Sequence, residues 1–254
     1  MSLLEVENLR VRFGDSEAVR GVSFSLGRER LALVGASGAG KSLIGRAILR
    51  LMPPGASMRA DRLSFDGVDL LAANAAAMRG LRGRRIGLVL QDPKFSLNPV
   101  MTIGAQIEEV LRLHWREAPR ERAVSLLEAV RLADPVRVHG LYPHEVSGGM
   151  GQRAMIAMML AGEPDLLIAD EPTSALDAGA TLGVLEVLDD LVARRGMGLL
   201  FISHDLDLVA GFCDRVMVLE AGQVAESCAA AVLAEASHPA TRRLLAARLS
   251  LGAL

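Results

Sequence analysis

The sequence predicts an α/β chain built on a largely parallel sheet, and three observations carry that prediction. Short apolar runs recur as LALVG (31–35), LLIAD (166–170), GLLFIS (198–203) and RVMVLE (215–220). A helical pattern over 179–195 separates two of them, so strand, helix and strand follow at crossover spacing. The run at 31–35 ends in a glycine-rich loop that opens a further helical pattern. The 254 residues suffice for one large α/β domain, or for a core with a smaller appended one. Hydrophobic residues make up 51% and aromatics only 3%, so the core must be built from Leu, Val, Ile, Ala and Met.

Taken in order, residues 3–9 and 18–26 alternate apolar and polar side chains, as half-buried strands do. The run 31–35 is apolar throughout and reads as a buried strand. Leu43, Ile44, Ala47, Ile48 and Leu51 then repeat at helical spacing. A strand pair is expected at 62–65 and 86–90. From Asp92 to Ala161 the character changes to a helical insertion, with helical spacing in 106–114 and 121–132. Asn98-Pro99, Ala118-Pro119 and Asp134-Pro135 punctuate it. Strand character returns at 166–170, 198–203 and 215–220, and the Ala/Leu-rich tail 229–254 reads as helical. This divides the chain into a core of 1–91 with 162–226, a helical subdomain at 92–161 and a tail at 227–254.

The loop GASGAGKS, Gly35 to Ser42, fits G-x-x-x-x-G-K-[ST] at every fixed position. Each residue type has a reason. Gly35, Gly38 and Gly40, with Ala36, Ser37 and Ala39 between them, let the backbone curl its N–H groups onto phosphate oxygens. The helix that follows adds its positive N-terminal end. Lys41 sets a compact charge on the β- and γ-phosphates, and Ser42 offers a hydroxyl to Mg²⁺. The chain has two lysines, Lys41 and Lys94, against 26 arginines. It has kept Lys where a planar guanidinium would be too bulky for a tight loop. The expected ligand is a nucleoside triphosphate with Mg²⁺.

LLIADEP (166–172) ends an apolar strand in two carboxylates. Asp170 is placed to hold Mg²⁺. Glu171 points elsewhere and is placed to polarise an attacking water. FISHD (201–205) ends a third apolar strand, with His204 placed to reach the γ-phosphate.

Other features exclude function classes. Net charge is −2, so nothing marks a chain that coats nucleic acid. Cys213 and Cys228 match no metal spacing and read as ordinary thiols of a reducing compartment. No stretch approaches the roughly 18 apolar residues of a spanning helix, and MSLLEVENLRVRF lacks the pattern of a signal peptide. The expectation is a soluble or peripheral protein.

Together these motifs resemble the ABC-type ATPases, because VSGGMGQR (146–153) is similar to the LSGGQ signature and lies upstream of the acidic strand. The resemblance runs from about residue 3 to 245. It implies a P-loop ABC-type nucleotide-binding domain, with a RecA-like parallel core, an antiparallel β subdomain and a helical subdomain. It further implies that Phe13 stacks on adenine, and that Gln91 touches Mg²⁺ and relays to the membrane subunit. Ser147, Gly148 and Gly149 would bind the γ-phosphate of ATP held by a second ATPase subunit, Ser174 to Asp177 would cross the dimer interface, and His204 would be the switch histidine. QDPKFSLNPVMTIGAQI (91–107), YPHEVSGGM (142–150) and HPATRRLL (238–245) look like the peptide/nickel importer group. That group implies transmembrane permease subunits, an extracytoplasmic solute-binding protein and a place on the cytoplasmic face of the bacterial inner membrane. The alternative is a non-transport ABC ATPase acting on DNA or the ribosome. Three departures stand out: Gly151 where the group commonly has Arg, Val146 for Leu or Phe, and an end at Leu254 without the cysteine-bearing extension of many peptide-transporting members. That end implies no iron–sulfur cluster there.

Overall fold

A computed structural model of the chain describes residues 2–115 and 120–251, without the side chains of Lys94, Phe95 and 248–251. The expected break at Ala118-Pro119 lies outside the described residues. In chain order the elements are β1 (Leu4–Phe13), β2 (Ser16–Leu26), β3 (Arg30–Gly35), α1 (Lys41–Ile48), β4 (Ala56–Arg59), β5 (Arg62–Phe65), β6 (Val68–Asp69) and α2 (Ala75–Leu81). Then come β7 (Ile86–Val89), α3 (Pro93–Ser96), α4 (Ile103–Trp115), α5 (Arg120–Ala129), α6 (Pro135–Gly140), α7 (Gly148–Leu160), β8 (Leu166–Asp170) and α8 (Ala178–Arg195). The last are β9 (Gly198–Ile202), α9 (Leu206–Phe212), β10 (Arg215–Glu220), β11 (Gln223–Ala229) and α10 (Pro239–Leu251). They fall into two compact units: Met1–Arg79 with Gly198–Leu254, and Gly80–Met197.

The first unit holds an antiparallel sheet centred on β1. β2 lies on one side of β1, while β5 pairs with its first half and β4 with its second. Strict alternation would put Leu9 on the wrong face after Leu4 and Val6. A bulge between Val6 and Leu9 corrects the phase, with Asn8 at φ 50°. Leu4, Val6, Leu9 and Val11 are consequently all buried. The Asn8 side chain donates to Asp61 Oδ2 at 2.9 Å, and its backbone N–H donates to Ser23 Oγ at 2.8 Å.

The same unit holds parallel strands. β3 lies between β10 and β9, parallel to both, and β11 returns antiparallel on β10. β3 and β9 are buried almost throughout, as strands covered on both faces must be. Arg30 fastens the start of β3 to Asp214, at 2.7 Å from its N–H and 3.0 Å from its guanidinium. Burial opposes ionisation of Asp214, but the hydrogen bonds and charge of Arg30 outweigh it and hold the carboxyl below the usual range. Burial pushes the Cys213 thiol up to about 12, and burial followed by the Glu226 charge raises the Cys228 thiol. Both are therefore protonated, unreactive thiols.

In the second unit β7 and β8 pair in parallel, with Val89 opposite Ala169. Helices α4 to α7 form the expected helical region. The Trp115 indole donates to the Ala161 carbonyl at 2.7 Å, and Arg84 and Arg122 lie over its ring. Burial, then the Arg84 charge, lowers the pKa of the neighbouring His114.

The α/β class, the parallel strands, the antiparallel sheet and the helical region are as the sequence predicts. Two expectations are corrected. The pairing of 62–65 with 86–90 does not form: β5 takes β1 and β6 as partners, and β7 takes β8. The tail is not helical from 229. Ala229 ends β11, a 3₁₀ turn spans Ala230–Glu235, and only α10 is an α-helix. The Glu226 carboxylate sets that break. It accepts from Thr241 Oγ1 at 2.6 Å and from the N–H groups of Ser237 and His238, and the Thr241 bond foremost lowers its pKa.

Candidate functional site

The phosphate loop joins β3 to α1 in the first unit. Gly35 has φ 153° and Gly40 φ 100°. A Cβ on Gly35 would sit 2.3 Å from the Leu219 carbonyl oxygen, and one on Gly40 2.8 Å from that of Ala18. Both positions need glycine for space as well as for conformation. Ala36, Ser37 and Gly38 form an exposed crown, whereas Lys41 is only 6% exposed. Its Nζ donates to the carbonyls of Gly35 at 2.8 Å and Ala36 at 3.0 Å. A buried ammonium is costly unless hydrogen-bonded, and here the loop's own carbonyls hold it at the mouth of the curl. No side chain caps α1 at Gly40. This is the arrangement of an anion site.

His204 is exposed two residues beyond Ile202, which registers with Leu33 in the parallel β3–β9 pair. It and the phosphate loop thus leave the carboxyl ends of neighbouring parallel strands, where open α/β sheets bind ligands. Asp205 caps α9 through the Leu208 N–H at 3.0 Å. Phe13 is 37% exposed at the end of β1. Its hairpin partner β2 abuts the loop, through the Ala18 carbonyl at Gly40.

In the second unit, β7 and β8 likewise deliver residues that the sequence singles out, Gln91, Asp170 and Glu171, at their carboxyl ends. Asp170 closes β8 and is 8% exposed. Glu171 is half-buried with φ 50°, a left-handed backbone at a non-glycine residue. Strain of this kind concentrates at functional sites. Its carbonyl accepts from the N–H of Ser174 at 3.4 Å and from the Ser174 hydroxyl at 3.1 Å. Gln91 is exposed two residues after β7.

Ser147 caps α7, its hydroxyl accepting from the Met150 N–H at 3.3 Å, and Ser147 and Gly148 are exposed. Gly149 is buried against α8, where a Cβ would meet the Ala180 Cβ at 2.6 Å. Asp177 caps α8 through the Ala180 N–H at 2.8 Å. Sequence reasoning gave no role to Arg153, which donates to the Gly149 carbonyl at 3.3 Å and the Arg131 carbonyl at 2.8 Å. Arg131 in turn pairs with Glu186 and Asp190 of α8. The signal was the QR that follows the signature glycines. At Gly151 a Cβ would make only an ordinary 3.4 Å contact with Pro93. The missing side chain borders a cavity of about 420 Å³ shared with Asp92, His144 and Leu176.

Residues 19–174 match the family model described as ABC transporter. The chain belongs to the ABC transporter family. This ABC protein is 46% identical over 255 residues to the oligopeptide transport ATP-binding protein OppD of Bacillus subtilis, covering 96% of the chain and 71% of that relative. It is 42% identical to the dipeptide transport ATP-binding protein DppD of Haemophilus influenzae, covering 96% and 77%. Among solved structures it superposes on the ATP-binding cassette MJ0796, in a dimeric post-hydrolysis state bound to ADP and Pi, with TM-score 0.78 and 26% identity. That match covers 89% of this chain and 98% of the other. It also resembles cbiO1 of Clostridium perfringens, with TM-score 0.78, 26% identity and coverage of 92% and 91%. The ABC protein is therefore an ATPase cassette of the peptide-importer group. No helix among its described residues is long and apolar enough to cross a membrane.

Proposed function

We propose that the chain is the ATP-hydrolysing subunit that powers a peptide importer. Similarity over 96% of its length to oligopeptide and dipeptide transport ATP-binding proteins carries this reading, in preference to nickel transport or to work on DNA or the ribosome. The loop from Gly35 to Ser42 binds the phosphates, with Lys41 on the β- and γ-oxygens and Phe13 on the adenine. Glu171 polarises the attacking water, and His204 and Gln91 act at the γ-phosphate. Oxygen donors suit a hard cation, so Ser42, Gln91 and Asp170 would hold Mg²⁺. When bound, that ion neutralises charge developing on the phosphate oxygens.

Ser147, Gly148 and Gly149 act in trans on ATP held by a second ATPase subunit, a related chain or a copy of this one. The exposed, capped N-terminus of α7 supports that role. As functional divisions, 1–91 with 162–226 serve the nucleotide, 92–161 carries the signature, and 227–254 is the tail. The remaining partners are transmembrane permease subunits, with an extracytoplasmic solute-binding protein in the same system. The chain then sits peripherally on the cytoplasmic face of the inner membrane.

The test is reconstitution of the co-purified complex in vesicles. ATP hydrolysis should rise when the solute-binding protein is loaded with peptide, and labelled peptide should cross. Hydrolysis indifferent to loaded solute-binding protein, with no peptide movement, would overturn the assignment.

A further inference from the structure

Gln152 carries the one buried side-chain nitrogen or oxygen, among the described residues, that has no hydrogen-bond partner. It lies in α7, five residues after Ser147, and is 1% exposed. Its Nε2 donates to the Leu90 carbonyl at 3.4 Å, and its Oε1 accepts from nothing. Turning the amide over does not remove the anomaly. It would face Oε1 to the Leu90 oxygen and strand Nε2 instead. Buried amide groups normally find both partners. A buried polar group left half-satisfied calls for a reason, and its surroundings offer one.

Leu90 directly precedes Gln91. On the other side of Gln91 and Asp92, the Pro93 ring faces Gly151, the residue before Gln152, where a Cβ would meet it at 3.4 Å. One turn of α7 therefore faces the 90–93 segment on both sides of Gln91, with a hydrogen bond at Leu90 and Gly151 opposite Pro93. Arg153, next along the helix, ties the same turn back to the Gly149 carbonyl. The N-terminus of α7 and the Gln91 segment are thus linked through three consecutive residues of one helix, all within one compact unit.

We propose that Gln152 is a positioning residue that couples the signature turn to Gln91. A shift of α7 when Ser147 engages a phosphate is passed to the Leu90 carbonyl, and Gln91 moves with it. The open Oε1 is an acceptor for an N–H of the 90–93 segment in the shifted arrangement. The resting contact is long and half-satisfied, which suits an element with two arrangements rather than one. The inference rests on the roles assigned above to Gln91 and to the signature turn.

The test uses the full chain with Gln152→Met, which keeps the length and removes both polar atoms, and Gln152→Glu, which keeps only acceptors. Hydrogen exchange in a peptide spanning 88–96 should quicken by about tenfold in Gln152→Met, with the body of α7 and the melting temperature unchanged. In the assembled complex kcat should fall by about tenfold at constant KM, and Gln152→Glu should fall likewise, because the donor to Leu90 is gone. In a Gln91→Ala background Gln152→Met should cost nothing further, since its effect runs through Gln91. Unchanged exchange at 88–96, or an equal loss of kcat with and without Gln91, would overturn the proposal. So would a lowered melting temperature with kcat intact, which marks a merely structural residue. The exchange result stands without ATP turnover, so a wild-type complex that fails to hydrolyse ATP would count against the functional reading and leave this coupling to be judged on exchange.

Discussion

Replacing Lys41 with Ala should weaken ATP binding itself. Lys41 is 6% exposed, and two of its donors rest on the Gly35 and Ala36 carbonyls at 2.8 and 3.0 Å. The ammonium is thus pre-positioned by the loop, and little ordering is left to be done when phosphate arrives. A charge-assisted hydrogen bond of this kind contributes about 1.5–3 kcal/mol. Its loss should raise the Kd for ATP by about 10- to 150-fold. Direct titration with ATP measures this, with the far-ultraviolet spectrum as a check that the chain stays folded. Lys41→Arg should lose binding as well, because the loop closes on a compact ammonium and a planar fork does not fit between two carbonyls so close. A folded Lys41→Ala that binds ATP within twofold of wild type would refute the phosphate-loop assignment. A Lys41→Arg with wild-type affinity would refute the steric part of the reasoning.

Two further predictions concern packing and pH. Gly149→Ala would drive a methyl to 2.6 Å from Ala180 Cβ. Overpacking of that size costs about 1–3 kcal/mol, so the melting temperature should fall by several degrees, and an unchanged melt would mean that α7 and α8 are not locked there. The Asp214 carboxyl is held below its ordinary pKa by Arg30, despite the opposing effect of burial. A depressed carboxylate contributes stability above the unfolded pKa and loses it as pH falls through the folded one. The urea midpoint of wild type should therefore exceed that of Asp214→Asn near neutral pH, with the gap closing below about pH 4. Asp214 is 44% exposed as a side chain, so the gap should stay under about 1 kcal/mol. A gap that widens in acid would contradict the Arg30 pairing.

The parts of the fold governed by local pattern were legible in the sequence. The 31–35 strand, the loop and α1 follow one another as G-x-x-x-x-G-K-S demands, and α8 matches its helical run to within a residue. What stayed hidden depended on contacts distant in sequence. The α7 helix opens with three glycines in its first four residues, poor helix formers in isolation. Gly149 is glycine there because Ala180 lies against it. The end of the tail strand is set by Glu226 reaching Thr241, a bond invisible to periodicity. β1 runs four residues beyond its alternation because the bulge at Asn8 restores its phase. Asp170, Glu171 and His204 were legible as residues at the ends of apolar strands, and the 35–42 loop as the turn that follows one. The contacts of Gln152 and Arg153 were not, since they are hydrogen bonds to the carbonyls of Leu90, Gly149 and Arg131 that periodicity does not predict.

The most direct measurement is phosphate release by the complex assembled with Glu171→Gln. Glu171 holds a left-handed backbone at the carboxyl end of β8, beside an Asp170 that is almost fully buried. Gln is the same size but cannot act as a base, so ATP should bind with wild-type affinity while turnover falls by at least about 100-fold. Steady-state hydrolysis at the wild-type rate would contradict the assignment of Glu171, and with it the reading of this chain as an ATPase working through that carboxylate.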